Sequence, residues 1–276
     1  MKHKNKRGEK RREFLRFSMV MAAGTSLMSL AIAKIDDIND AINKSGRQRM
    51  LSQRMAKAYL QLGQGIDIYH SRKILASSIT TFEAQLAELS AYAPTAENRQ
   101  VFAQMEKNWM DYKNLLSGAT PNPTSAKNLM LMSDEMLMLA QSATVQLEKF
   151  SGSPSAKRVN LAGRQRMLSQ RMAKYYQALQ WGVAPPDAIA KLEAARKDFI
   201  AAMEVLQSAP ANTPQIKDGL ALAQQQWLFF DNALHQFGEK SANPQDKLLL
   251  LNTVASSSER ILEVMDSVTT LYQKNA

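Results

Sequence analysis

The chain contains no cysteine. That excludes disulfides, thiolate zinc sites, iron–sulfur clusters and cysteine nucleophiles. Histidine is almost as scarce: only His3, His70 and His235 occur, and His3 lies in a basic leader. Aromatic residues make up 7%, and the 11 Gly and 9 Pro cluster between long periodic stretches. Strands favour aromatic and β-branched residues, so the abundance of Leu, Ala, Gln and Met (16 residues) points to helices. No nucleophile–base arrangement, Gly-rich phosphate loop or metal-ligand spacing is present, which argues against an enzyme and against any cofactor. Haem held by His and Met is the one group the composition allows. Met at helical spacing, as in Leu129-Met130-Leu131-Met132, reads instead as core packing.

Charge of one sign dominates only locally. The net charge is +10, but residues 1–33 hold +6 of it and the remaining chain only +4. A mildly basic body does not call for a polyanion, so no nucleic-acid partner is expected. The leader reads Lys10-Arg11-Arg12-Glu13-Phe14-Leu15-Arg16, then a modest apolar run from Phe17 to Ala33. It ends in Ala31-Ile32-Ala33, a small-x-small pattern. This resembles a twin-arginine export signal, which implies a periplasmic protein, with the leader cleaved after Ala33 or kept as an N-terminal anchor. Beyond Ala33 no apolar run is long enough to span a membrane.

Self-comparison yields the strongest signal. Residues 46–57 read Gly-Arg-Gln-Arg-Met-Leu-Ser-Gln-Arg-Met-Ala-Lys, and residues 163–174 repeat all twelve at an offset of 117. Asn43 matches Asn160 and Tyr59 matches Tyr176; farther on, Phe82 matches Phe199 and Trp109 matches Trp227 with a one-residue slip. The chain is therefore two units, 34–150 and 155–276, joined through Ser151-Gly152-Ser153-Pro154-Ser155, a loop by composition. Periodicity and breakers predict four helices in each: 36–62, 68–91, 96–117 and 125–149, then 157–181, 186–208, 213–237 and 245–273. Short connections favour antiparallel neighbours, hence an all-α fold of two tandem antiparallel four-helix bundles. Four antiparallel helices return the chain to its starting end. The two motif helices can then lie parallel and side by side as a pseudo-two-fold pair. They can meet within one chain or between two copies in a homodimer.

Helical phasing divides the motif. Leu51, Met55, Ala58 and Leu62 form the expected core stripe, while Ile42, Gly46, Arg49 and Gln53 lie nearly opposite. Val159, Gly163, Arg166 and Gln170 repeat that second stripe. Gly in a helix interior costs roughly 1 kcal/mol, and its use is close approach of another helix or a ligand. Facing stripes would bring Arg49 and Arg166 together, and two guanidiniums repel unless an anion lies between them. Arg47 and Arg54, like Arg164 and Arg171, share a different face and are expected to pair with acids or stay in solvent. A solvated face would have drifted between the copies as the rest has, so the twelve identities argue for a shared task.

The segment Asn43-Lys44-Ser45-Gly46-Arg47-Gln48-Arg49-Met50-Leu51-Ser52-Gln53-Arg54-Met55, with its copy Asn160 to Met172, resembles the periplasmic motif of NarX-type nitrate/nitrite sensors. It is closer still to the N-terminal sensory domain of PilJ-type pilus chemotaxis transducers. The resemblance implies a four-helix sensory bundle per unit. It also implies an anion held between two motif helices by Arg49, Arg166, Gly46 and Gly163. Gln53, Gln170, Asn43, Asn160, Arg54 and Arg171 are the expected supporting residues. Arg47-Gln48 and Gln53 depart from the Ser-Leu and Tyr usual in nitrate sensors, which separates the ligand question from the fold. The expectation is a soluble, exported ligand-binding module for a small oxyanion such as nitrate or nitrite, signalling through a membrane-bound partner. The alternative is an interaction protein docking a membrane receptor or a pilus-chemotaxis component without a ligand.

Overall fold

The computed structural model describes residues 34–236 and 243–275. The leader and its export reading lie outside the described residues. Among those described there are eight helices and no strand. They are α1 (Ile38–Gly63), α2 (Ile68–Tyr92), α3 (Ala96–Ser117) and α4 (Pro123–Ser151), then α5 (Pro154–Trp181), α6 (Ala188–Gln207), α7 (Pro214–His235) and α8 (Pro244–Lys274).

Local chemistry sets the ends. Asp37, Thr95, Asn122, Ser153, Thr213 and Asn243 each accept a hydrogen bond from a first-turn N–H of the helix that follows. Pro begins α4, α5, α7 and α8, where its missing N–H costs nothing. The expected 151–155 loop is shorter than its composition implied. Gly152 adopts φ 64° as the left-handed cap of α4, and Ser153 already caps α5. The chain thus reverses in two residues.

Each unit closes as a four-helix bundle. In the first, α1 packs on α2 and α4, α4 on α3, and α3 on α2; α5–α8 repeat this arrangement. Phe82 stacks on Trp109 at 4.3 Å between ring centroids, and Phe199 on Trp227 at the same distance, so the matched aromatics fill equivalent core positions. The most extensive helix pairing in the molecule is between α1 and α5. They run parallel and in register, since Asn43 lies beside Arg166, Asn160 beside Arg49, and Gly63 against the Trp181 ring. The tandem bundles therefore form a pseudo-two-fold pair within one chain.

This pairing explains the two-faced motif helix. Gln48 to Gln53 and Gln165 to Gln170 are buried without interruption. Each motif helix is surrounded by two helices of its own bundle and by the other motif helix. A helix in that position keeps only a narrow, partly exposed strip, along Arg47 and Arg54 on one and Arg164 and Arg171 on the other.

Candidate functional site

Arg49 and Arg166 are fully buried, each with 0% of its surface exposed. Each folds back over the Gly three residues before it. A Cβ on Gly46 would stand 3.0 Å from Arg49 Nη2 and 3.7 Å from Arg166 Nη2; one on Gly163 would stand 2.9 Å from Arg166 Nη2. The motif glycines thus make room for the chain's own guanidiniums. From there each Arg crosses to the other motif helix. Arg49 Nη2 donates to Asn160 Oδ1 at 2.7 Å, and Arg166 Nη2 donates to Asn43 Oδ1 at 2.8 Å. Arg49, Arg166, Gly46, Gly163, Asn43 and Asn160 therefore lie together between the two motif helices.

The last helix of each bundle completes the site, and here the halves differ. Arg49 Nη1 donates to Gln141 Oε1 on α4 at 2.7 Å, whereas Arg166 Nη1 meets Asp266 on α8 in an ion pair. One layer out the order reverses: Asn160 donates to Glu148, and Asn43 to Gln273. Each half therefore holds one carboxylate and one amide, in exchanged positions. Among the described residues every hydrogen-bond acceptor of Arg49 is neutral. Both Nε atoms are buried without a hydrogen-bond partner. Burial, and next the Arg166 charge, push the Arg49 guanidinium down to about 9. Burial also lowers Arg166, to about 10, although Asp266 works against it. Both stay charged at neutral pH, so the centre of the molecule carries two cations and one directly paired carboxylate.

Two further clusters tie the bundles together, and the motif reading missed them. Lys57 in α1 is fully buried and reaches across to Ser258 Oγ and Glu259 of α8. Its counterpart Lys174 in α5 reaches Ser133 Oγ and Asp134 of α4. Burial alone would raise both carboxyls. Lys57 and Arg54 more than offset this and hold Glu259 at about 2, and Lys174, with Tyr175 and Lys191 hydrogen-bonded, holds Asp134 at about 2. Both Lys lie inside the identical block, and the Ser-acid pairs Ser133-Asp134 and Ser258-Glu259 recur in α4 and α8. That recurrence was the available signal.

The remaining supporting candidates lie elsewhere. Gln53 and Gln170 donate to the backbone carbonyls of Ser133 and Ser258 within their own bundles, away from the paired Arg. Arg54 pairs with Glu259, and Arg47 with Asp266. Arg164 pairs with Asp198 at a solvent-exposed position. Arg171 has no hydrogen-bond or ion-pair partner among the described residues, its Nε is buried, and its guanidinium lies 5.7 Å from the Tyr175 ring. His70 and His235 are exposed and bonded to Asp67 and to the Asp231 backbone.

The family model for the PilJ domain, the N-terminal domain of type IV pili methyl-accepting chemotaxis transducers, matches residues 30–132 and again 150–256. No curated protein and no solved structure matches the chain.

Proposed function

Because the chain belongs to the PilJ N-terminal domain family and carries two copies of it, we propose that it is a sensory module whose two bundles read a ligand at their shared motif helices. The proposed ligand is a small oxyanion of the nitrate or nitrite kind, bound in the periplasm. The proposed receiver is a membrane-bound signalling partner. Among the described residues no helix is long and apolar enough to cross a membrane. The observation that carries the anion reading is Arg49: a fully buried guanidinium whose acceptors are all neutral.

The chemistry follows from that imbalance. The Oδ1 atoms of Asn43 and Asn160 occupy acceptor positions on the two guanidiniums that a planar oxyanion could take in their place. An anion arriving there displaces the Asn side chains, neutralises the mutual repulsion of Arg49 and Arg166, and changes how α1 and α5 fit together. Only a difference in affinity between two such arrangements makes the site a switch. The test is calorimetry and thermal melting of the full chain with nitrate, nitrite and chloride at equal ionic strength. A ligand at a hundred times its Kd stabilises by about 2.7 kcal/mol, a readily measured rise in Tm. Nitrate or nitrite should raise Tm where chloride does not, and Arg49→Gln should remove the effect. Equal melting in all three salts would refute the oxyanion.

A second reading has one observation in its favour. Arg166 already holds Asp266, as an arginine serving only to join bundles would. On that reading Arg49→Gln and Arg166→Gln lower Tm, and no anion alters it.

A further inference from the structure

The pseudo-two-fold axis creates two outer grooves at equivalent places, and the chain fills them differently. The first, of about 590 Å³, lies between α1, α2 and α8, and Arg54, Lys57, Glu259 and Glu263 line it. The second, of about 400 Å³, lies between α4, α5 and α6. Its walls include Arg164, Arg171, Lys191, Met138 and Met167, together with Asp134. The identical motif supplies Arg54 to the first groove and its counterpart Arg171 to the second; Arg164 also lines the second, while its counterpart Arg47 stands outside the first groove, paired with Asp266.

What differs is the fourth helix. Aligned on the Ser-acid pairs, Glu263 and Asp266 of α8 correspond to Met138 and Gln141 of α4. In the first half Asp266 accepts from Arg47, and Glu259 from Arg54. In the second half Asp134 is taken by Lys174, Lys191 and Tyr175. Arg171 is left without a hydrogen-bond or ion-pair partner among the described residues. Arg164 has only a surface pair with Asp198, both side chains more than 40% exposed, which contributes little. The first half thus displays what these arginines bind when the chain supplies it: carboxylates carried on short aliphatic stems.

We infer that the α4–α5–α6 groove binds a small aliphatic carboxylate, with its charge on Arg171 and Arg164 and its carbon chain against Met138 and Met167. The volume lies within the usual range for small-molecule sites, which pair apolar walls with a few fixed polar groups. Gln141 forms part of this wall and accepts a hydrogen bond from Arg49. A ligand carboxylate here therefore stands near the buried arginine that lacks a directly paired acid, as Asp266 stands by Arg166. The site shares Gln141 with the one between the motif helices but is built on other arginines, and its binding does not require an anion there.

The test is calorimetric titration of the full chain with glutarate and hexanoate, and with inorganic phosphate for comparison. Either carboxylate should bind with millimolar or better affinity, and phosphate more weakly. Arg171→Gln should weaken binding by about tenfold or more. Gln141→Asp places beside this groove the acid that Asp266 supplies to Arg47 in the other half, and should weaken binding by occupying Arg164 from within. Circular dichroism of both variants should match the parent, since neither side chain is buried in the core. Absence of heat with both carboxylates would overturn the proposal. So would phosphate binding as well as they do, or binding that neither substitution changes.

Discussion

A buried charge is stable only while its partner is present, and Lys57 is the clearest case. Its ammonium is sealed from solvent and depends on Glu259 of the other bundle. Taking away one member of such a pair costs about 3 kcal/mol, because the other charge is left in a low-dielectric interior. Glu259→Gln should therefore lower Tm by ~6–12 °C in a domain of this size, as read by differential scanning calorimetry. The same carboxyls set the acid limit. Glu259 and Asp134 sit at about 2 in the folded protein, against roughly 4 when unfolded. The unfolded chain binds more protons between those values, so stability rises with pH there. The contribution of both carboxyls is complete above about pH 5 and is lost as pH falls through 4 towards 2. Tm should be flat above that range and drop within it, and Glu259→Gln should shallow the drop. A drop of unchanged steepness in the variant would show that other groups set the acid limit.

At the scale of the helix, most of the fold was legible in the sequence. Breaks at Ala93-Pro94, Gly118 to Pro123 and Gly182 to Pro186 located the ends, because Gly and Pro act locally and need no tertiary context. Phasing isolated Arg49 and Arg166 because a 3.6-residue period is a property of one helix alone. The acids were harder to see. Asp266, Glu259 and Asp134 stand on helices that have diverged between the copies, and nothing in their own periodicity marks what lies across from them. The motif glycine permits close approach as expected, but first of the Arg on its own helix and only then, at Gly46, of Arg166 from the other. That yields a sharp expectation. Gly163→Ala gains roughly 1 kcal/mol of helix propensity. The added methyl also pushes on Arg166 Nη2, 2.9 Å away, and loosens its bond to Asn43. A buried hydrogen bond to a charged group contributes about 1.5–3 kcal/mol. The net effect should be a loss of ~1 kcal/mol by urea denaturation, where the same change at an exposed helical site would stabilise.

At the scale of the whole molecule, the pairing of α1 with α5 is a homodimer interface written into one chain. Two sets of cross-bundle contacts made by the first motif have partners of the same type in its own unit, although Asp266, the partner of Arg47, is matched there only by Gln141. Arg49 bonds Asn160, and its own helix offers Asn43. Lys57 bonds Ser258 and Glu259, and its own α4 offers Ser133 and Asp134. A fragment ending at Gly152 keeps all of these groups but exposes the most extensive interface in the molecule. An interface of that extent, carrying cations that the whole chain keeps buried, is poorly suited to solvent. The 34–152 fragment should therefore associate as a parallel dimer, in which Arg49 of each copy binds Asn43 of the other. Light scattering after gel filtration should give twice the fragment mass. Asn43→Leu should weaken the dimer by removing both reciprocal bonds at once. A folded, monodisperse monomer would show instead that the first bundle is stable alone, and that the pseudo-two-fold contact serves recognition rather than folding.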